Sequence, residues 1–76
     1  MKELLEYIAK SLVDYPADVS VTESKSGSTT VLELRVNEAD MGKVIGKQGR
    51  IAKSIRAVIK AAASRENKKA VVEIMQ

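Results

Sequence analysis

Apolar residues recur at every second position in two short runs, Val19 and Val21, then Leu32, Leu34 and Val36, while on either side of these runs they recur at helical spacing. A chain of 76 residues that changes period in this way is one domain, with room for a small sheet and the helices that cover it. Residues 2–13 set Leu4, Leu5, Ile8 and Leu12 along one side of a helix. Tyr15-Pro16 ends it, because the residue before a proline is pushed out of the helical region. Residues 18–24 and 29–37 alternate around Lys25-Ser26-Gly27-Ser28, a turn signal, and predict a β-hairpin with one buried face.

Asp40 is placed to cap a short helix at 41–46, which Gly46 and Gly49 interrupt. A second helix, 50–64, gathers Ile51, Ile55, Val58, Ile59 and Ala62 on one side and Lys53, Arg56 and Lys60 on the opposite one. A polar loop at 65–69 leads into a last strand, 70–75. A helical crossover between the second and last strands makes them parallel and right-handed. The expected architecture is α+β, in the order α-β-β-α-α-β, with a three-stranded mixed sheet and three helices packed on one face. The expected core is Leu5, Ile8, Leu12, Val21, Leu32, Leu34, Val36, Val44, Ile51, Ile55, Val58, Ile59, Val72 and Ile74.

Charge is segregated along the chain. Between Lys43 and Lys69 nine basic side chains face one acid, Glu66, whereas the rest of the chain holds four basic and nine acidic residues. A basic segment on an otherwise acidic domain points to a polyanion meeting one face, although a solvated helix face has the same composition. The chain has no histidine and no cysteine, so the commonest acid–base catalyst, thiolate metal sites and disulfides are all missing. No cofactor is expected. No apolar run approaches the ~20 residues of a membrane span. The acid-bearing start Met1-Lys2-Glu3-Leu4-Leu5-Glu6 lacks a signal peptide's apolar core, so a cytoplasmic location is expected.

The stretch with chemical content is Val44-Ile45-Gly46-Lys47-Gln48-Gly49-Arg50-Ile51. Two glycines three positions apart, between two helices, make a tight loop with almost no bulk at its ends. It feeds a helix N-terminus, where free N–H groups suit phosphate oxygens. Lys47 and Arg50 add charge there, and Lys43 and Lys53 extend the basic rim. Ile45 and the edge of the 50–64 helix are expected to form an apolar groove for bases beside the second strand. The only aromatics, Tyr7 and Tyr15, lie in or near the first helix, which argues against base-stacking sheet modules.

This run, with Ile51 and Ile55 after it, resembles the V-I-G-x-x-G core of KH domains, whose loop clamps about four nucleotides. The element order matches the type II, prokaryotic arrangement over essentially the whole chain, 1–76. Met1-Lys2-Glu3-Leu4, Tyr7 to Val13 and Gly46 to Arg56 are more specifically similar to the KhpA family of small bacterial stand-alone KH proteins, proposed RNA chaperones. The resemblance implies single-stranded RNA binding, with Lys43, Ile45, Gly46, Lys47, Gln48, Gly49, Arg50, Lys53 and Arg56 as the contact set. It also implies pairing, with a second copy or with a KhpB (Jag)-like KH protein, which would raise avidity for a weak single module. Ala57 and Ala61 share a small-residue strip that permits close approach, and alanine is also simply a good helix former.

Other readings are weaker. A P-loop needs four residues between its glycines, whereas Gly42 and Gly46 are separated by three and Gln48 follows Lys47. Glu33 and Glu73 are expected to neighbour each other on the outer sheet face, but exposed strand acids are solubilising rather than catalytic, so no enzyme is expected. A protein-interaction adapter with a vestigial clamp is the remaining alternative.

Overall fold

The computed structural model describes residues 1–75. Its helices are α1 (Lys2–Leu12), α2 (Met41–Ile45) and α3 (Arg50–Arg65), and its strands are β1 (Ser20–Ser26), β2 (Thr29–Arg35) and β3 (Lys69–Met75). Short 3-10 turns occupy Pro16–Asp18, Glu38–Asp40 and Lys47–Gly49. The sheet runs β1-β2-β3, with β1 antiparallel and β3 parallel to β2. This is the expected α+β arrangement, and β2 is its centre.

The hairpin is tighter than the turn signal implied. Its ladder continues to Ser26 opposite Thr29, leaving Gly27 and Ser28 as a two-residue turn. Gly27 takes φ 63 at the first turn position, the conformation a II′ hairpin assigns to glycine. Along β2, Thr30, Leu32 and Leu34 are buried under the helices, with Val36 just beyond, while Arg35 is exposed. On the outer face Glu33 and Glu73 neighbour each other as expected, and the register makes them direct partners.

α3 docks on the sheet through Ala52, Ile55, Ile59 and Ala63, one face at i, i+3, i+7 and i+11. Two of those four, Ala52 and Ala63, lie outside the expected apolar side, which held Ala62 instead. Ala9 and Val19 are buried for the same structural reason, close approach of α1 and the start of β1 to the core. Conversely Leu12 and Val58, expected in the core, are 37% and 46% exposed, and Ile8, Ile51 and Ile74 are only half-buried. With Ile55 and Ser54, the residues Ile8, Leu12, Ile51 and Val58 line an open groove between α1 and α3. Ser54 hides its polarity there by donating its hydroxyl to Arg50 O at 3.0 Å.

Asp40 does not cap α2 with its side chain. That stretch starts instead from the Glu38–Asp40 turn, where Asn37 Oδ1 accepts the Ala39 N–H at 2.8 Å. The Asp40 carboxylate is fully buried and accepts the N–H groups of Asp14 at 3.1 Å and Tyr15 at 3.0 Å. A longer α1 would have directed those two amides at its own carbonyls. α1 ends at Leu12 with Val13 already extended at ψ 160, ahead of the Tyr15-Pro16 stop, and Asp40 takes up the two amides that this early end leaves unpaired.

Candidate nucleic-acid interface

The loop between α2 and α3 is built from backbone conformations that side chains resist. Gly46 has φ 75 and ψ 175, a region that essentially only glycine enters. A Cβ there would lie 2.5 Å from Ile51 Cγ1. Gly49 has φ 74, and a Cβ on it would meet nothing within 4 Å. Between them Gln48 is held at φ 57, ψ 26, a left-handed conformation that costs an L-residue about 1–2 kcal/mol. Lys47 and Gln48 are exposed at the loop's tip.

The loop's amides divide into two pairs. Gly49 N–H donates to Gly46 O at 3.2 Å and Arg50 N–H donates to Lys47 O, so these two are used by the turn itself. Among the described residues, the Lys47 and Gln48 N–H groups have no internal acceptor. Of the free N–H groups expected where the loop feeds α3, the two that stay open are adjacent and lie within the loop. The cause is the 3-10 turn at Lys47–Gly49, which closes the chain before α3 begins.

The flanking cations differ in availability. Among the described residues Lys47, Arg50 and Lys53 are exposed and make no ion pair. Lys43 instead reaches Asp14, which follows α1. The hydrogen bond from Lys43 to the Asp14 carboxylate, helped by the charges of Asp14 and Asp40, holds the ammonium above the ordinary lysine range. Ile45 ends α2 beside the loop and is 38% exposed.

Arg56 lies away from the loop, on the flank of α3 that follows β3. Its Nε donates to Val72 O at 3.3 Å. Among the described residues β3 pairs with β2 alone, which leaves its other edge open, and Arg56 sits on that edge. The free strand edge beside α3 belongs to β3 and not to β2, whose two edges both carry neighbours, so the base groove expected beside the second strand has no open edge there. α3 carries two dissimilar flanks: a basic one with Lys53 and Arg56 along β3, and an apolar one with Ile51, Ile55 and Val58 along α1. The sequence marked Asp40 only as a cap for α2 and marked Asp14 not at all, whereas Asp14 holds Lys43 and Asp40 holds the chain that follows α1.

A helix–GxxG–helix unit on a sheet with one parallel pair defines a KH domain of the type II order. Residues 2–74 match the family model described as "KhpA/KhpB, KH domain". The chain is 67% identical to RNA-binding protein KhpA of Clostridium perfringens over 99% of its own length and all of that protein. It is 46% identical to RNA-binding protein KhpA of Aquifex aeolicus, over its whole length and 96% of that relative. Among solved structures, Era in complex with MgGDPNP and nucleotides 1506–1542 of 16S ribosomal RNA aligns with a TM-score of 0.69 at 19% identity. That alignment covers 96% of this chain and 28% of Era, and it shows the shared fold. The chain belongs to the KhpA/KhpB family of KH-domain proteins.

Proposed function

We propose that this protein binds single-stranded RNA by its backbone, with phosphate oxygens on the Lys47 and Gln48 N–H groups. The observation that carries this reading is the pair of adjacent amides without internal acceptors, on two exposed residues, in a loop whose ends have no side-chain bulk. Lys47, Arg50 and Lys53 supply charge, and Lys43 extends the basic rim with its charge partly offset by Asp14. Gly46 and Gly49 let the strand approach the main chain, and bases lie over Ile45 and the α3–β3 seam, where Arg56 is held. A hold on about four nucleotides is weak and centred on the backbone, which suits an RNA chaperone or post-transcriptional regulator acting in the cytoplasm.

The α1–α3 groove supports a second element of the reading, pairing with another KH surface. Leu12 and Val58 are exposed there, and Leu4, Ala61 and Ala62 carry the apolar surface on toward the end of α3. A second copy, or a KhpB (Jag)-like protein, seated on this flank leaves the basic flank open, so two clamps act on one RNA. This groove is also what favours an adapter role, in which the groove alone is used.

The test is the double substitution Lys47→Asp/Gln48→Asp, measured by fluorescence anisotropy with single-stranded RNA across a salt series. RNA affinity is expected to fall at least about tenfold and the fold to persist, because both side chains are exposed and negative charge would occupy the phosphate position. Parent-like RNA binding by this variant removes the clamp, and a parent affinity that ignores salt points to a partner other than nucleic acid.

A further inference from the structure

The basic flank of α3 continues past Arg56. Lys60 and Ser64 lie one and two turns further along the same side, where they line a cavity with Lys68, Lys69 and Thr29 and with the apolar Ala70 and Val71 of β3. Among the described residues no acid lines it. Lys68 has one acidic neighbour, Glu66, at 3.8 Å with both side chains more than half exposed, a pairing too loose to neutralise it.

The chain reversal that makes this cavity is fixed by main-chain bonds. Lys68 N–H donates to Ala63 O at 2.9 Å and Asn67 N–H to Ser64 O at 3.0 Å, with Asn67 left-handed at φ 56. This double closure is the Schellman motif, with asparagine where glycine is commonest. Lys68 and Lys69 are therefore held against the last turn of α3 rather than carried on a free loop. Lys69 also opens β3, so the cavity stands at the start of the same open strand edge whose Val72 carbonyl holds Arg56.

The geometry points to a second phosphate-binding site in this cavity, taking the sugar-phosphate backbone of the same RNA strand that the Gly46–Gly49 loop clamps. The inference rests on the RNA reading above and extends its footprint. Arg50, Lys53, Arg56 and Lys60 form a basic ramp about 15 Å long from the loop to the cavity. Lysine ammoniums on flexible stems, beside the Ser64 and Thr29 hydroxyls, suit diester oxygens of no fixed orientation. A strand following the ramp exchanges condensed counterions for these side chains along its whole length, so the gain grows with strand length.

The test compares an unstructured CA-repeat RNA pentamer and dodecamer, read by anisotropy and by amide NMR shifts. Lys60→Ala/Lys68→Ala/Lys69→Ala is expected to bind the dodecamer about tenfold more weakly, with a salt slope shallower by roughly one, and to bind the pentamer as the parent does. Arginine at the three positions restores the dodecamer affinity. A control with the same charge change elsewhere, Lys2→Ala/Lys10→Ala/Lys25→Ala, retains it. The Ser64 and Lys68 amides shift with the dodecamer only. The second site is overturned if the triple variant keeps the parent's dodecamer affinity, if the control loses as much, if both RNAs weaken equally, or if polyglutamate moves those amides and RNA does not. If Lys47→Asp/Gln48→Asp abolishes pentamer binding while the cavity variant matches the parent, the clamp stands and the second site alone falls. If the parent binds neither RNA, both fall.

Discussion

Gly46 rests its bare α-carbon against Ile51, so closely that a Cβ would sit 2.5 Å from Ile51 Cγ1 and 2.8 Å from its Cβ. The contact ties the start of the loop to the first turn of α3. It also separates the two glycines by the reason each is there.

Gly46→Ala meets both a clash with a branched carbon and a forbidden backbone region. It is expected to destabilise the domain by about 3 kcal/mol. Gly49→Ala meets open space and only the left-handed penalty, about 1–2 kcal/mol. Urea denaturation of the two variants checks the order, and equal losses would refute the steric account of Gly46.

Asp40→Ala removes the acceptor for two main-chain amides and leaves a void at a fully buried position. Hydrogen bonds to a charged group contribute about 1.5–3 kcal/mol each, partly recovered here by water because the amides are only part-buried. A net loss of about 2–4 kcal/mol is expected. Hydrogen exchange should speed first at Asp14 and Tyr15, and unchanged protection there would show that the contact does not hold α1.

Asp14→Asn frees Lys43. The lysine's value should fall back toward the ordinary 10.5, followed by NMR titration of its side-chain signals. Because the pairing raises the folded-state value, its contribution to stability is present below 10.5 and disappears as pH rises through the raised value. With one acid removed beside the loop and a lysine released, RNA affinity should rise about two- to threefold at low salt. A fall in affinity would mean that the Asp14–Lys43 pair positions the loop rather than competes for the cation.

Val58→Glu places a charge in the α1–α3 groove at a position 46% exposed. The fold should lose no more than about 1 kcal/mol. Any self-association detected by sedimentation should vanish, and binding to a short RNA should remain. Loss of short-RNA binding with the fold intact would show that the two flanks of α3 are not independent.

Much of the fold was legible because it is local. The alternation of Leu32, Leu34 and Val36 and the helical spacing of Ile55 and Ile59 each depend on neighbours within a turn or a pleat. The glycine-bounded loop was legible for the same reason, since Gly46 and Gly49 answer to their own φ and ψ. That Glu33 and Glu73 share the outer face could be read from the alternation and the parallel crossover, while the register that makes them partners came from the structure.

The sequence alone determined the order of elements, the parallel β2–β3 pair and the position of the loop, because period and glycine stereochemistry act over a few residues. Only the tertiary structure decided that Asp40 serves Asp14 and Tyr15 instead of capping α2, that Lys43 is shared with Asp14, and that Leu12 and Val58 line an open groove. Asp14 and Asp40 are 26 residues apart, and nothing in the spacing between them announces a partner. Their meeting follows from α1 and α2 packing against each other over the same sheet, a relationship that neither segment encodes within itself.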